Sequence, residues 1–267
     1  MSYTAGFIGC GNMGGTLAAA AAKGVGGENI LVADFDRNKI LKHAQNYGTV
    51  PADAKKIAAE CGMIFLGVKP QGLRQTLADI RETLAARKDR FVIVCMAAGV
   101  TLATVEELTG APVIRIMPNL PAAAGEGVIL FCPGKGVTAE ETAAFETLMR
   151  PAGMLQSIPE NKIDAASAVT GCGPAFVCMF AEALTDGAVR CGLTREQAER
   201  FALQTVLGTA KYLLESGKDP AVLRAEVCSP AGSTIEGVAA LEQGALRAVV
   251  MEAVDASFRR TKELQNI

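Results

Sequence analysis

The chain predicts a doubly wound α/β domain built on a parallel sheet, followed by an all-helical domain, and three observations carry the prediction. Short apolar runs alternate with helical stretches from the N-terminus to about residue 160. A glycine-rich turn joins the first run to the first helical stretch. From about Asn161 the strand pattern stops and only helical periodicity continues.

The runs "TAGFIGCG", "ILVAD", "MIFLGV", "FVIVCM" and "PVIRIM" read as short buried strands. Between them the helical stretches are Asn12–Lys23, Asn38–Tyr47, Gln71–Ala86 and Leu102–Thr109. After "GVILFCPGKGV" a helix is expected from Ala139 to Met149, and "MLQSI" gives a last strand. The second half reads as Ile163–Arg190, interrupted at Gly171–Pro174, then Arg195–Glu215, Pro220–Val227, Thr234–Glu242 and Ala245–Glu263. The turn signals "CGL", "SGKDP" and "EQG" separate these helices. The boundary is expected near 159–162, giving domains 1–160 and 161–267 with no low-complexity linker and no solenoid repeat.

Half of the 267 residues are hydrophobic, enough for a sizeable core, and the net charge is −2. With no basic block, nothing favours a nucleic-acid partner. None of the eight cysteines forms a C-x-x-C pair, and most sit inside apolar runs as small buried hydrophobes. That usage, and the absence of a signal-like start, predict a reducing, cytoplasmic setting. The uncharged run Ala165–Ala181 is shorter than a usual membrane span and is broken by "GCGP". A buried helix at a subunit interface is the better reading, with Phe176 and Phe180 in its buried stripe and no membrane partner.

"GFIGCGNMGG" places Gly9, Gly11 and Gly14 in G-x-G-x-x-G spacing between a strand and a helix. The first glycine makes the turn, the second admits a pyrophosphate and the third lets the helix pack close to the strand. The pattern predicts a Rossmann-type dinucleotide site, with Ile8, Cys10, Asn12 and Met13 beside the glycines. Asp34 lies twenty residues after Gly14, where an acid accepts from a ribose 2′-hydroxyl and favours NADH. Arg37 could instead pair a 2′-phosphate, so the two signals conflict. Gly67, Val68, Lys69 and Pro70 follow one buried strand, and Met96, Ala97 and Ala98 follow another. Both sets fall at strand carboxyl ends, where a doubly wound sheet binds its ligand.

The single histidine, His43, falls in the helix after the second strand and is expected at the surface, so no His-based triad or metal site is predicted. Cys172 has no histidine base beside it in "TGCGP". Lys162, Lys211, Lys218 and Lys262 are the lysines a hydroxyacid dehydrogenase would draw on for its base. Hydride transfer to a protonated cyclic imine needs little from protein acids and bases, because the substrate carries its own activation. In "EVCSPAGSTIEGV", Ser233 or Thr234 reads as the cap of a helix with Glu236 in its first turn. Gly232 lets the backbone approach a ligand, and the unpaired N–H groups of such a helix can face an anion.

Taken together, "GFIGCGNMG", "VKP", "AAGVT", "RIMPN", "GPAF" and "VCSPAGSTIEGV" run in order along the whole chain and resemble the pyrroline-5-carboxylate reductase family. Two departures are mild: Ala231 stands where the family's S-P-G-G-x-T has its first glycine, and "TGCGPAF" replaces an "SGSGPAY"-like segment. The resemblance implies reduction of 1-pyrroline-5-carboxylate to L-proline with NADPH or NADH, and slightly favours NADPH. It also implies a helical domain that forms an intertwined homodimer, with decamers as a further assembly. It places Ser229, Gly232, Ser233 and Thr234 on the substrate, Thr234 nearest the imine nitrogen as the catalytic residue, and Glu160 as a weaker substrate contact. The acid Glu226 replaces a family Asn, which leaves that position's role open. A hydroxyacid dehydrogenase and a non-catalytic dinucleotide sensor stay open as alternatives.

Overall fold

The computed structural model describes residues 3–264. Two compact units divide it: the described residues up to 171 together with those from 258 on, and residues 172–257.

In the first unit, β1 (Tyr3–Ile8) runs into α1 (Asn12–Val25), then β2 (Ile30–Ala33), α2 (Arg37–Tyr47) and β3 (Val50–Pro51). A further helix, α3 (Ala54–Glu60), leads to β4 (Cys61–Leu66), α4 (Pro70–Ala85), β5 (Val92–Cys95), α5 (Leu102–Thr109) and β6 (Val113–Met117). The unit continues through β7 (Gly127–Pro133), α6 (Ala139–Met149), β8 (Gly153–Ser157) and α7 (Ile163–Thr170). The strand order is β3-β2-β1-β4-β5-β6-β7-β8. It reverses between β1 and β4, the point at which a doubly wound sheet opens its ligand crevice.

Apolar residues alternate across the strands because successive side chains point to opposite faces. Phe7, Phe65, Val94 and Ile116 join α1 and α6 in one core. Ile8, Leu66, Ile93 and Val113 join α3, α4 and α5 in the other. Phe7 and Phe65 stack with centroids 4.2 Å apart, which fixes β1 against β4 beside the crevice.

Two expectations need correction. The sheet is not wholly parallel: β7 pairs antiparallel with β6. Only residues 118–126 connect them, and a parallel crossover needs a dozen or more. The segment 50–60 holds a two-residue strand and a short helix that the apolar pattern did not reveal; Asp53 caps the helix by accepting from Lys56 N–H at 2.7 Å. The first unit takes in α7. Buried Arg115 in the middle of β6 pairs with Asp164 on α7 at 3.5 Å. Asn119 donates from Nδ2 to Thr170 O at 2.9 Å, so α7 is tied to the sheet at both ends.

The second unit comprises α8 (Gly173–Arg190), α9 (Arg195–Ser216), α10 (Pro220–Val227), α11 (Ser233–Gln243) and most of α12 (Leu246–Leu264). Its buried residues are small: Ala181 and Thr185 on α8, Ala198 and Ala202 on α9. Large apolar side chains stand exposed, among them Met179 (69%), Phe201 (54%), Leu214 (84%) and Met251 (66%). Phe180, expected in a buried stripe, is 41% exposed in the single chain. Soluble monomers rarely leave so many large apolar side chains in water.

Candidate active site

In the first unit the candidate site is the crevice between the ends of β1 and β4. Gly9 N–H donates to Ala33 O at 2.8 Å, and Gly67 N–H donates to Ile8 O at 2.8 Å, closing the turn onto both neighbouring strands. A Cβ on Gly14 would strike Gly9 O, and one on Gly67 would come within 2.6 Å of the same oxygen, so helix, turn and strand meet at backbone contact. Around Gly11 a Cβ would meet nothing within 4 Å. The same residue is the N-cap of α1, with no side-chain cap and no acid in the first turn. The first N–H groups of α1 thus face open space, which fits a pyrophosphate. Cys10 lies in this turn, but burial and then the charge of Asp34 push its thiol up to about 12, which leaves it unreactive.

Asp34 lies at the end of β2 as expected, and it has a second task. Its Oδ2 accepts from Cys10 N–H at 2.8 Å and its Oδ1 from Asp36 N–H at 2.9 Å. The carboxylate fastens the glycine turn to the β2–α2 loop and keeps lone pairs for a ribose. Arg37 opens α2, where Asp36 is the N-cap and accepts from Asn38 N–H at 3.0 Å. Val68 and Lys69 lead into α4, whose first residue is Pro70, where a missing N–H costs nothing. Met96 N–H reaches Leu66 O at 3.4 Å, which sets the segment Met96–Ala98 beside the Gly67 turn.

His43 is not at the surface; it is 8% exposed. Its Nε2 lies 2.9 Å from Gly15 O, and its Nδ1 lies 2.9 Å from Thr49 Oγ1. Burial lowers its pKa, so the ring is neutral. A carbonyl only accepts, so Nε2 carries the proton and Nδ1 accepts from Thr49. His43 therefore pins α2 to α1. Beside it an open cleft of ≈ 410 Å³ runs back from Gly11 and Asn12 between these helices. Lys39 lines this cleft, a cation near the glycine turn that the sequence reading passed over, whereas Arg37 does not.

The other unit carries a candidate site of its own. Ser229–Gly232 forms a turn in which Gly232 N–H donates to Ser229 O at 3.0 Å. Pro230 takes the second position and Ala231 the third, at φ +56°. A Cβ on Gly232 would strike Ser229 Oγ. The N-cap of α11 is Gly232, not Ser233 or Thr234, and no side chain caps the helix. Ser233 and Thr234 are its first two residues, exposed beside free backbone N–H groups, which gives the turn the donors for a carboxylate. Glu226, three residues upstream of Ser229, is held by Lys218 Nζ at 2.7 and 2.9 Å.

Glu160 belongs to the first unit, and its contacts are internal. Its Oε1 accepts from Leu102 N–H at 2.7 Å and from Arg115 Nη1 at 3.1 Å. Cys172 sits at the N-cap of α8, half-buried. Among the described residues no three His, Cys, Asp or Glu side chains are grouped to hold a metal ion.

Fold and turn chemistry define a dinucleotide-binding oxidoreductase joined to a helical module. Residues 4–98 match the family model described as NADP oxidoreductase, coenzyme F420-dependent, and residues 160–264 match pyrroline-5-carboxylate reductase dimerisation. The chain is similar to pyrroline-5-carboxylate reductase 3 of Danio rerio, 42% identical over 98% of this chain and 91% of that protein. Among solved structures it resembles a pyrroline-5-carboxylate reductase from Coxiella burnetii, with TM-score 0.90, 30% identity and 99% of each chain covered. It also resembles the NADP-bound pyrroline carboxylate reductase of Plasmodium falciparum, with TM-score 0.86, 28% identity and 98% of each chain covered. The chain belongs to the pyrroline-5-carboxylate reductase family. By length and composition alone, Glu160–Arg190 could cross a membrane. The dimerisation model covers the same residues and gives their apolar surface another use.

Proposed function

We propose that the protein reduces 1-pyrroline-5-carboxylate to L-proline. The observation that carries the reading is the uncapped N-terminus of α11 behind the Ser229–Gly232 turn, in a chain that also builds a glycine-lined dinucleotide crevice. A nicotinamide dinucleotide held in the crevice would supply the hydride that the imine carbon accepts. The C=N electron pair moves to a nitrogen that is already protonated, so the enzyme needs no strong base. Ser229, Ser233 and the first N–H groups of α11 hold the substrate carboxylate, and the Thr234 hydroxyl orients the imine nitrogen. The crevice residues Ile8–Gly14, Gly67–Pro70 and Met96–Ala98 bind the dinucleotide.

The cofactor is a nicotinamide dinucleotide, and we favour NADH. Asp34 repels a 2′-phosphate at close range, while Arg37 sits on an exposed helix start. The exposed apolar faces of α8, α9 and α12 support a homodimer, and the family resemblance supports assembly of dimers into decamers. All eight cysteines are free, in keeping with a reducing, cytoplasmic setting. The test is the fall in nicotinamide absorbance on adding 1-pyrroline-5-carboxylate, set against the reverse assay with oxidised cofactor and a 2-hydroxy acid. Turnover of the hydroxy acid alone would favour the dehydrogenase reading.

A further inference from the structure

The loop Met96–Thr101 spans the gap between β5 and α5. One end is fixed by the sheet, where Cys95 lies in register with Leu66 and Arg115. Within the loop Val100 N–H bends back to Ala97 O at 3.4 Å, and Gly99 takes φ +76°. The other end is the first turn of α5, whose N–H groups lack partners inside the helix. Thr101 caps it by accepting from Thr104 N–H at 3.2 Å. The first helical N–H, that of Leu102, is taken by Glu160 from 58 residues away.

Glu160 is itself held. Arg115, 3% exposed, donates Nη1 to Glu160 and turns Nη2 toward Asp164. Arg115 Nε has no partner among the described residues, so the two η nitrogens carry its pairing. Asp164 also accepts from Lys262 Nζ at 2.9 Å. A buried arginine thus sets the carboxylate, and the carboxylate sets the helix start. A charge-assisted bond of this kind is stronger than a neutral one, and an acid at a helix N-terminus is favoured by the dipole.

We infer that Glu160 is a positioning residue: it anchors the first turn of α5 and so fixes the Met96–Thr101 loop against the dinucleotide crevice. This replaces the substrate contact expected from the sequence, and it rests on the reading of Met96–Ala98 as cofactor contacts. The test compares Glu160→Ala, Glu160→Gln and Asp164→Asn in the full-length protein. Dissociation constants for NADH and NADPH come from fluorescence titration, kcat and KM from turnover, and Tm from thermal melting. Glu160→Ala is expected to weaken dinucleotide binding about tenfold with kcat at saturation within twofold. Glu160→Gln keeps an oxygen for Leu102 N–H and is expected to recover most of the affinity. Asp164→Asn removes the charge that faces Arg115 Nη2 and Lys262 but leaves Arg115 Nη1 on Glu160 and the Leu102 bond, so it lowers Tm with little change in affinity.

Unchanged dinucleotide affinity in Glu160→Ala overturns the inference, and so does equal weakening in Asp164→Asn, which would mark general loosening. A rise in KM for the imine alone would return Glu160 to the substrate. The dinucleotide titration needs no imine, so it reads Glu160 even if the proposed reaction is wrong.

Discussion

Replacing Ala231 with glycine should stabilise the protein, although it removes a methyl group from the loop expected to bind substrate. Ala231 is the third residue of the Ser229–Gly232 turn, the position that demands positive φ, and it sits at φ +56°. An L-residue in this conformation costs about 1–2 kcal/mol. Glycine returns roughly 0.4–1 kcal/mol of that through the greater freedom of the unfolded chain. Ala231→Gly is therefore expected to gain about 0.8 kcal/mol at the midpoint of these ranges, a rise in Tm of about 2–3 °C for a chain of this size. Ala245, at φ +55° between α11 and α12, is the matched control because it lies outside the loop. Thermal melts of both variants at one fixed protein concentration test the reasoning, since association itself shifts Tm. A lower Tm in Ala231→Gly alongside a higher one in Ala245→Gly would show that the methyl group packs productively and that the strain argument fails there.

Three further outcomes follow from the site. Thr234→Ala is expected to lower kcat/KM by about 1–3 kcal/mol, the scale of a hydrogen bond to a charged group, with cofactor affinity unchanged; wild-type turnover would remove Thr234 from the site. Asp34→Ser should raise the NADPH/NADH ratio of kcat/KM and Arg37→Ala should lower it, and if neither ratio moves, the β2 terminus is not the ribose site. His43 is held neutral by burial, below its usual 6.5. Between its folded and unfolded pKa values the unfolded chain binds the extra proton. Its contribution is therefore full above about pH 6.5 and is lost as pH falls through the lower, folded value. Melting curves of the wild type and His43→Gln from about pH 5 to 7.5 should show the wild-type slope flattened in the variant.

Much of this architecture is local and so was legible. Gly9, Gly11 and Gly14 announce a strand, a turn and a helix within ten residues, and α5 and α6 begin and end at the expected residues because Thr101, Gly110 and Thr138 mark their ends. What escaped depends on distant partners or on small cues. His43 lies three residues after buried Ile40, one turn along the same face, and that spacing was the available sign of its burial. The short link between β6 and β7 was the sign of antiparallel pairing. No local pattern ties Arg115 to Asp164 or Asn119 to Thr170, so the extent of the first unit could be seen only in three dimensions. For the same reason the bond from Leu102 to Glu160 was hidden.

The central claim is the proposed one, that a chain with a glycine-lined dinucleotide crevice and the Ser229–Thr234 turn reduces a cyclic imine. It is tested most directly by mixing the purified protein with NADH or NADPH and 1-pyrroline-5-carboxylate, then following cofactor absorbance and L-proline together. The account predicts one L-proline formed for each cofactor oxidised, with the rate collapsing when Ser233 and Thr234 are both replaced by alanine. Cofactor binding without oxidation, or oxidation that ignores that double substitution, would contradict it.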